Sequence, residues 1–348
     1  NDGGEAGGQM KLRLVTIKTN PSGFGIHVEL RRDSFWLTRE VTELPLEIGL
    51  AGHRRLDSVQ TLWTDGVVLN EIDVEVGRTP LTLVEKDVET GSCPFLYVWG
   101  GRGVRFVTDL LGNSPLGLPE RRGVMLPADP DEIVAIGGEE VFRPQGGLYT
   151  LQLTEEFREA LYLDSASLIA VDHPEGVEVH PTDKVVSPPF PSSEVWAITS
   201  LRPPDPAEGS DGITRTDALR ASDGVFAPPG SELPAPFLGA CHPLTLTLDF
   251  GPLEVNRPLV LALTGWLQYG SASSDIAISQ CRSVEVIPPS LEVETNEGGW
   301  RAVDVRVGIP AGKTKTILCD LAGKLPHGAK RLRLTTTYEI RWDRIALG

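Results

Sequence analysis

The sequence of 348 residues has only four cysteines and two methionines, and it lacks both long apolar runs and a surplus of basic side chains. No apolar run approaches the roughly 20 residues that a membrane helix needs, so no membrane span is expected. The 32 Lys and Arg stand against 48 Asp and Glu, which gives a formal net charge of -16. A chain with this deficit of cations cannot neutralise a phosphate backbone well, so nucleic acid is not an expected partner.

The four cysteines are too widely spaced to form a local redox or zinc motif. Cys93, Cys241, Cys281 and Cys319 form no CxxC pair, which argues against a zinc ribbon and a thioredoxin-like site. Four cysteines allow three pairings, and the sequence does not choose among them. Buried free thiols and one disulfide are equally good interpretations, so the disulfide state stays open at this point.

Local catalytic signatures are missing as well. None of the six histidines belongs to an HxH or HExxH motif, which would indicate a catalytic zinc site. The sequence contains no GxSxG motif, so serine hydrolase chemistry has no local support. Composition and motifs therefore define no reaction.

The sequence is instead rich in short blocks of alternating Val, Ile, Leu and Thr, separated by Gly, Pro, Asn or Asp. Such blocks predict a mostly β fold with very little helix. Because 37 Gly and 28 Pro interrupt almost every window of a dozen residues, only short helices are expected, at Thr154–Ala160 and Asp217–Arg220. The apolar block Leu161–Val171 is predicted to be a strand.

The positions of the breakers suggest how the chain is divided. Residues 181–236 contain much of the proline, and their apolar side chains indicate an ordered connection rather than a disordered linker. The predicted parts are a linker over 1–9, a β domain over 10–86, an irregular Gly/Pro-rich connection over 87–147, and a β-sandwich over 148–348 with a Pro-rich insertion at about 181–236.

Three stretches together resemble a known family. They are NPSGFGIHVEL (Asn20–Leu30), PLEIGL (Pro45–Leu50) and VQTLWTDG (Val59–Gly66). Their order and spacing resemble the ASPIC/UnbV domain, which lies on the C-terminal side of FG-GAP repeat propellers in bacterial proteins and in cartilage acidic protein. The resemblance implies an ASPIC/UnbV-like β domain at 10–86, a preceding FG-GAP repeat whose tail is 1–9, and a jelly-roll-like sandwich after them. The metal-binding loops of the propeller are not present, so its calcium role does not carry over.

The resemblance and the missing catalytic motifs lead to an expected function. We expect a non-catalytic accessory or interaction region of a secreted or surface-exposed, and hence extracytoplasmic, protein. It would bind another protein or a glycan, as a subunit of a larger assembly in one version of this hypothesis.

The alternative hypothesis is a hydrolase with a site assembled from distant loops near Asp172 and His173. A carboxylate beside an imidazole can orient and charge it. Adjacent residues of a strand point to opposite faces, however, so this pair would need a bend to form a side-chain hydrogen bond. We therefore assign no catalytic residue and leave enzymatic activity uncertain.

Four residues are candidates for ligand binding: Trp99, Trp300, Asp172 and His173. The two tryptophans lie beside Gly-rich turns, where an exposed indole could stack on a sugar. Trp266 and Trp342 lie in alternating apolar sequence instead, and their large apolar area predicts burial in the core.

Asp129, Asp131 and Glu132 are the candidate calcium ligands, because calcium prefers oxygen ligands. A second acidic cluster covers Asp205–Asp211. Neither cluster has the spacing of an EF-hand loop, and a solvated acidic loop is the commoner outcome for such clusters.

Overall fold

The computed structural model describes residues 8–17, 19–64, 68–77, 79–85, 94–110, 117–127, 129–154, 162–310 and 313–348. Strands dominate these ranges, which contain one α-helix and one short 3₁₀ helix. The prediction of a mostly β, sandwich-like fold with very little helix is therefore confirmed. The described residues divide into two compact units, 8–85 and 94–348.

The first unit contains the strands β1 (Gln9–Val15), β2 (His27–Arg32), β3 (Phe35–Glu40), β4 (Leu46–Gly49), β5 (Arg55–Leu62), β6 (Val68–Glu75) and β7 (Leu81–Val84). The second unit contains β8 (Phe95–Trp99), β9 (Val104–Asp109), β10 (Leu118–Arg121), β11 (Val124–Leu126), β12 (Leu151–Thr154), β13 (Val177–Pro181), β14 (Val195–Thr199), β15 (Ala207–Gly209), β16 (Ala240–Asp249), β17 (Val260–Leu267), β18 (Ser290–Glu294), β19 (Trp300–Ala302), β20 (Lys315–Asp320), β21 (Arg331–Tyr338) and β22 (Ile340–Leu347), together with the 3₁₀ helix Asp217–Leu219 and the helix α1 (Ala272–Gln280).

The first unit is built from two sheets that share one apolar core. Their strand orders are β4-β1-β7 and β3-β2-β5-β6. In β1, Met10, Leu12 and Leu14 are buried while the residues between them are exposed, as the period of two in a strand dictates. Leu30 of β2 and Trp63 contribute to the same core. Both sheets are thus polar on one face and apolar on the other.

The turn predicted at Asn20–Gly25 is present in the first unit. The backbone N–H of Gly23 donates to the carbonyl of Asn20 at 2.8 Å, and Gly23 has a φ of 69°. A residue with a Cβ would be strained in that conformation, which explains the glycine. Strands β5 and β6 are antiparallel neighbours, and the turn predicted between them at Asp65 and Gly66 lies outside the described residues.

The larger part of the second unit is a sandwich of two sheets. A five-stranded sheet has the order β15-β16-β21-β18-β19, and a three-stranded sheet has the order β20-β17-β22. Leu246 and Leu334 of the first sheet and Leu263 and Ile345 of the second belong to one buried cluster. That cluster is the core of the sandwich, since each sheet turns one apolar face towards the other.

A third layer covers the outer face of the three-stranded sheet. The antiparallel ribbon β13-β14 contributes Ile198, which packs against Val260 and Leu318. Arg344 of β22 donates two hydrogen bonds of 2.8 Å to the carboxylate of Glu178 in β13. Apolar packing and a bidentate ion pair thus join the ribbon to the sandwich. Strand β12 pairs with β8 in a separate sheet of order β12-β8-β9.

The prediction of a strand over Leu161–Val171 is wrong. Residues 162–173 have no helix, strand or turn assignment, and all of them are exposed. A strand needs a hydrogen-bonded neighbour, and within the described part of the chain no backbone hydrogen bond reaches these residues. The helix predicted at Thr154–Ala160 falls almost entirely outside the described residues, and Thr154 itself ends β12.

The described residues contain two short helical segments. The short helix predicted at Asp217–Arg220 is a single 3₁₀ turn, Asp217–Leu219. Helix α1 was not predicted, although Ser271 caps it by accepting from the backbone N–H of Ser274 at 3.2 Å. The sequence signal for this helix is the capping serine.

Three cysteines are free thiols in the described part of the chain. Cys241 and Cys319 are buried and Cys281 is half-buried, while Cys93 lies outside the described residues. Burial raises the pKa of the Cys241 thiol to about 11. The described residues also include no helix that is long and apolar enough to span a membrane.

Candidate interaction sites

Asp172 and His173 both lie on the surface of the irregular segment before β13. The Nδ1 atom of His173 lies 3.2 Å from the carbonyl oxygen of Pro174, its own neighbour in sequence. Within the described residues, no side chain forms a hydrogen bond with Asp172. The imidazole is therefore positioned by local backbone and not by the adjacent carboxylate.

Replacing His173 with alanine should change the free energy of unfolding by no more than about 0.5 kcal/mol, because the side chain is exposed and has only a local contact. Urea unfolding of the two proteins measures this difference. A parallel screen with ester, glycoside and peptide substrates should show no turnover that depends on His173. Turnover that disappears with His173→Ala would support the hydrolase hypothesis instead.

The tryptophans are less clearly divided into exposed and buried classes than predicted. Trp342 is buried in the sandwich core, which confirms its prediction. Trp99 and Trp300, predicted to be exposed, are half-buried, and so is Trp266, which was predicted to be core. The Trp300 ring is covered by the guanidinium of Arg333 at 3.8 Å from its centroid, so that much of this indole face is already occupied.

The acidic residues predicted to bind calcium lie close to a lysine. Glu132 accepts a hydrogen bond of 2.9 Å from the ammonium of Lys315, and Asp131 donates its backbone N–H to Asp129 at 3.1 Å. Among the described residues, no group of three or more His, Cys, Asp or Glu side chains could hold a metal ion. Calcium binding at Asp129, Asp131 and Glu132 stays a prediction.

The cluster around Lys315 also contains Asp183. Burial raises the pKa of Asp183 to about 7, and the nearby carboxylates of Glu132 and Asp129 act in the same direction. Burial alone would lower the pKa of Lys315, but the carboxylates of Glu132 and Asp109 raise it overall. The cluster thus combines an ion pair with a carboxyl whose pKa is raised by burial.

The most unusual surface of the second unit is the segment 162–173, which we call the arm. It exposes large apolar side chains: Tyr162 is 92 % exposed, Leu168 51 % and Ile169 62 %. Single apolar residues are common on protein surfaces, whereas a run of them in one segment is a candidate interaction surface. The apolar block in the sequence indicated a strand here, but it did not indicate which segment would pair with that strand.

No family model matches the chain, and neither a curated protein nor a solved structure matches it. The resemblance to the ASPIC/UnbV domain therefore stays a prediction that rests on the three stretches described above.

Proposed function

We propose that this chain is a non-catalytic protein-interaction region, of the ASPIC/UnbV type and from an extracytoplasmic protein, whose arm binds a partner protein. The observation that carries the proposal is that every residue of the arm, 162–173, is exposed, in a part of the chain whose sequence favours a strand. The family and the location rest on the sequence resemblance alone.

The arm has the features of a segment that adds to the sheet edge of another molecule. Its main-chain groups have no backbone partner within the described residues, so they are available to pair with an open strand. Leu168, Ile169 and Val171 supply apolar side chains for pockets on the partner. Asp164 and Asp172 flank them, which favours a partner edge with basic side chains.

Site-specific photocrosslinking in cells that produce the full protein tests this proposal. A benzophenone amino acid at Ile169 should give a discrete adduct with one protein species, because that position contacts the partner. The matched control is the same probe at Ile276, an isoleucine of helix α1 that is 49 % exposed. The adduct should weaken when Leu168→Asp is added, while the urea midpoint of that variant stays unchanged.

Sedimentation of the purified chain distinguishes a second copy from a different protein as the partner. The proposal fails when Ile169 gives no adduct, and it fails equally when Ile169 and Ile276 give the same set of adducts. Either outcome would show that the arm is an ordinary solvated surface.

A further inference from the structure

An open cavity of about 340 Å³ lies beside the ribbon β13-β14. Leu318 of β20, which packs against the ribbon and not in the sandwich core, contributes to its lining. Three segments that are distant in sequence form its walls: residues 182–196, residues 304–306, and the end of β20 with the residues that follow it. The volume is at the small end of the range for small-molecule sites. One half-buried indole, that of Trp196, contributes to the wall.

The three cations of the cavity wall already donate to main-chain carbonyls. The ammonium of Lys184 donates to the carbonyls of Arg306 and Leu318 at 2.7 and 2.8 Å. The guanidinium of Arg306 donates to two carbonyls of the neighbouring loop at 2.6 and 2.7 Å. Lys324 donates to the carbonyl of Asp320 at 2.8 Å. These bonds hold the walls together and leave few cationic donors for a ligand.

The three carboxylates that line the cavity, in contrast, accept few hydrogen bonds from the described residues. Asp304 is exposed, and no described residue forms a hydrogen bond or an ion pair with its carboxylate. Among the described residues, the carboxylate of Glu194 accepts only from the indole Nε1 of Trp196, at 3.2 Å, and this bond orients the ring. Within the described ranges, the carboxylate of Asp320 accepts a single hydrogen bond, of 2.9 Å, from the backbone N–H of Ala322. The cavity thus offers carboxylate oxygens next to an oriented aromatic face.

We propose that this cavity binds a neutral saccharide of one or two rings. Sugar hydroxyls donate to carboxylates in strong charge-assisted hydrogen bonds, and the C–H face of a sugar ring packs on an indole. The three carboxylates and the three cations Lys184, Arg306 and Lys324 balance one another, so the lining has no net charge that would favour an ionic ligand. A ligand with many hydroxyl donors and no net charge can donate to the carboxylate oxygens without bringing a charge into the cavity.

Titration calorimetry of the full chain with glucose, galactose, mannose, N-acetylglucosamine, cellobiose, maltose and lactose tests the proposal. At least one of these sugars should bind, and Trp196→Ala should weaken that affinity about tenfold or more. Trp196→Phe should retain part of it, because a smaller aromatic face remains. Asp304→Ala should weaken binding without changing the unfolding midpoint, since this side chain has no partner in the described structure.

The matched control is Trp36→Ala, at a tryptophan of β3 that is 68 % exposed and lies in the first unit. It should leave sugar binding unchanged. The proposal is overturned when none of the seven sugars binds, when Trp196→Ala binds as well as the wild type, or when only the charged probes spermidine and glucuronate bind. None of these results bears on the arm, so the two proposals fail independently.

Discussion

Replacing Asp211 with alanine should lower the free energy of unfolding by about 3 kcal/mol or more, because it leaves a buried arginine without its counter-charge. The side chain of Arg215 is completely buried, and its two terminal nitrogens donate to the carboxylate of Asp211 at 2.8 and 2.7 Å. Its Nε donates to the carbonyl of Pro228 at 2.8 Å. A Cβ at Gly209 would clash with this guanidinium, so the glycine makes room for it.

Urea unfolding at neutral pH measures the effect, and Asp172→Ala is the matched control at an exposed carboxylate. The control should stay within about 0.5 kcal/mol of the wild type. The hydrogen bonds from Arg215 lower the pKa of Asp211 to about 2. The stabilisation is therefore present above pH 4 and is lost as the pH falls towards 2. Equal unfolding midpoints for Asp211→Ala and Asp172→Ala would contradict this account.

Replacing Asp275 with asparagine should stabilise the protein at alkaline pH, by up to about 4 kcal/mol, and change little at pH 4. Asp275 is 2 % exposed, and its Oδ2 atom has no hydrogen-bond partner among the described residues. Burial raises its pKa to about 7. The buried phenol of Tyr338, whose pKa burial also raises, adds no compensating positive charge.

The direction of the pH dependence follows from the shift. The folded state binds the proton of Asp275 more tightly than the unfolded state, so this carboxyl stabilises the fold most below pH 4. That contribution is lost as the pH rises through about 7. Asparagine cannot ionise, so Asp275→Asn does not lose this stability as the pH rises.

Thermal unfolding between pH 4 and pH 9 compares Asp275→Asn with the wild type and with the surface control Asp172→Asn. The difference between Asp275→Asn and the wild type should grow with pH, whereas the control should follow the wild type. Parallel curves for Asp275→Asn and the wild type would mean that the native site stabilises the carboxylate. Asp183, whose pKa is also raised to about 7, should leave part of the pH dependence in both proteins.

The sequence predicted the fold class because alternation is a local property of each strand. In β21, Leu332 and Leu334 are buried between half-buried Arg331, Arg333 and Thr335, as a pattern with a period of two requires. The same rule failed at residues 161–171 because alternation describes only one strand. Pairing depends on a second segment, and the described part of this chain supplies none to the arm.

The candidate sites were harder to predict because distant segments assemble them. The cavity joins Trp196 to Asp304 and Asp320, and no local spacing connects these three residues. The acidic stretch Asp205–Asp211 suggested calcium, but both of these aspartates pair with arginines: Asp211 with Arg215, and Asp205 with Arg220 at 3.0 Å. The arginine four residues after Asp211 indicates this ion pair, which a count of acidic residues alone does not identify.

The parallel pairing of β1 with β7 determines when the first unit can be completed as the chain is synthesised. Leu12 lies opposite Leu81, so the central strand of the sheet β4-β1-β7 receives its last neighbour only when nearly the whole unit has been made. Closing such a long loop is entropically costly and makes folding slow. Until then the edge of β1 that pairs with β7 is open in the nascent chain, and an open strand edge can pair with other chains.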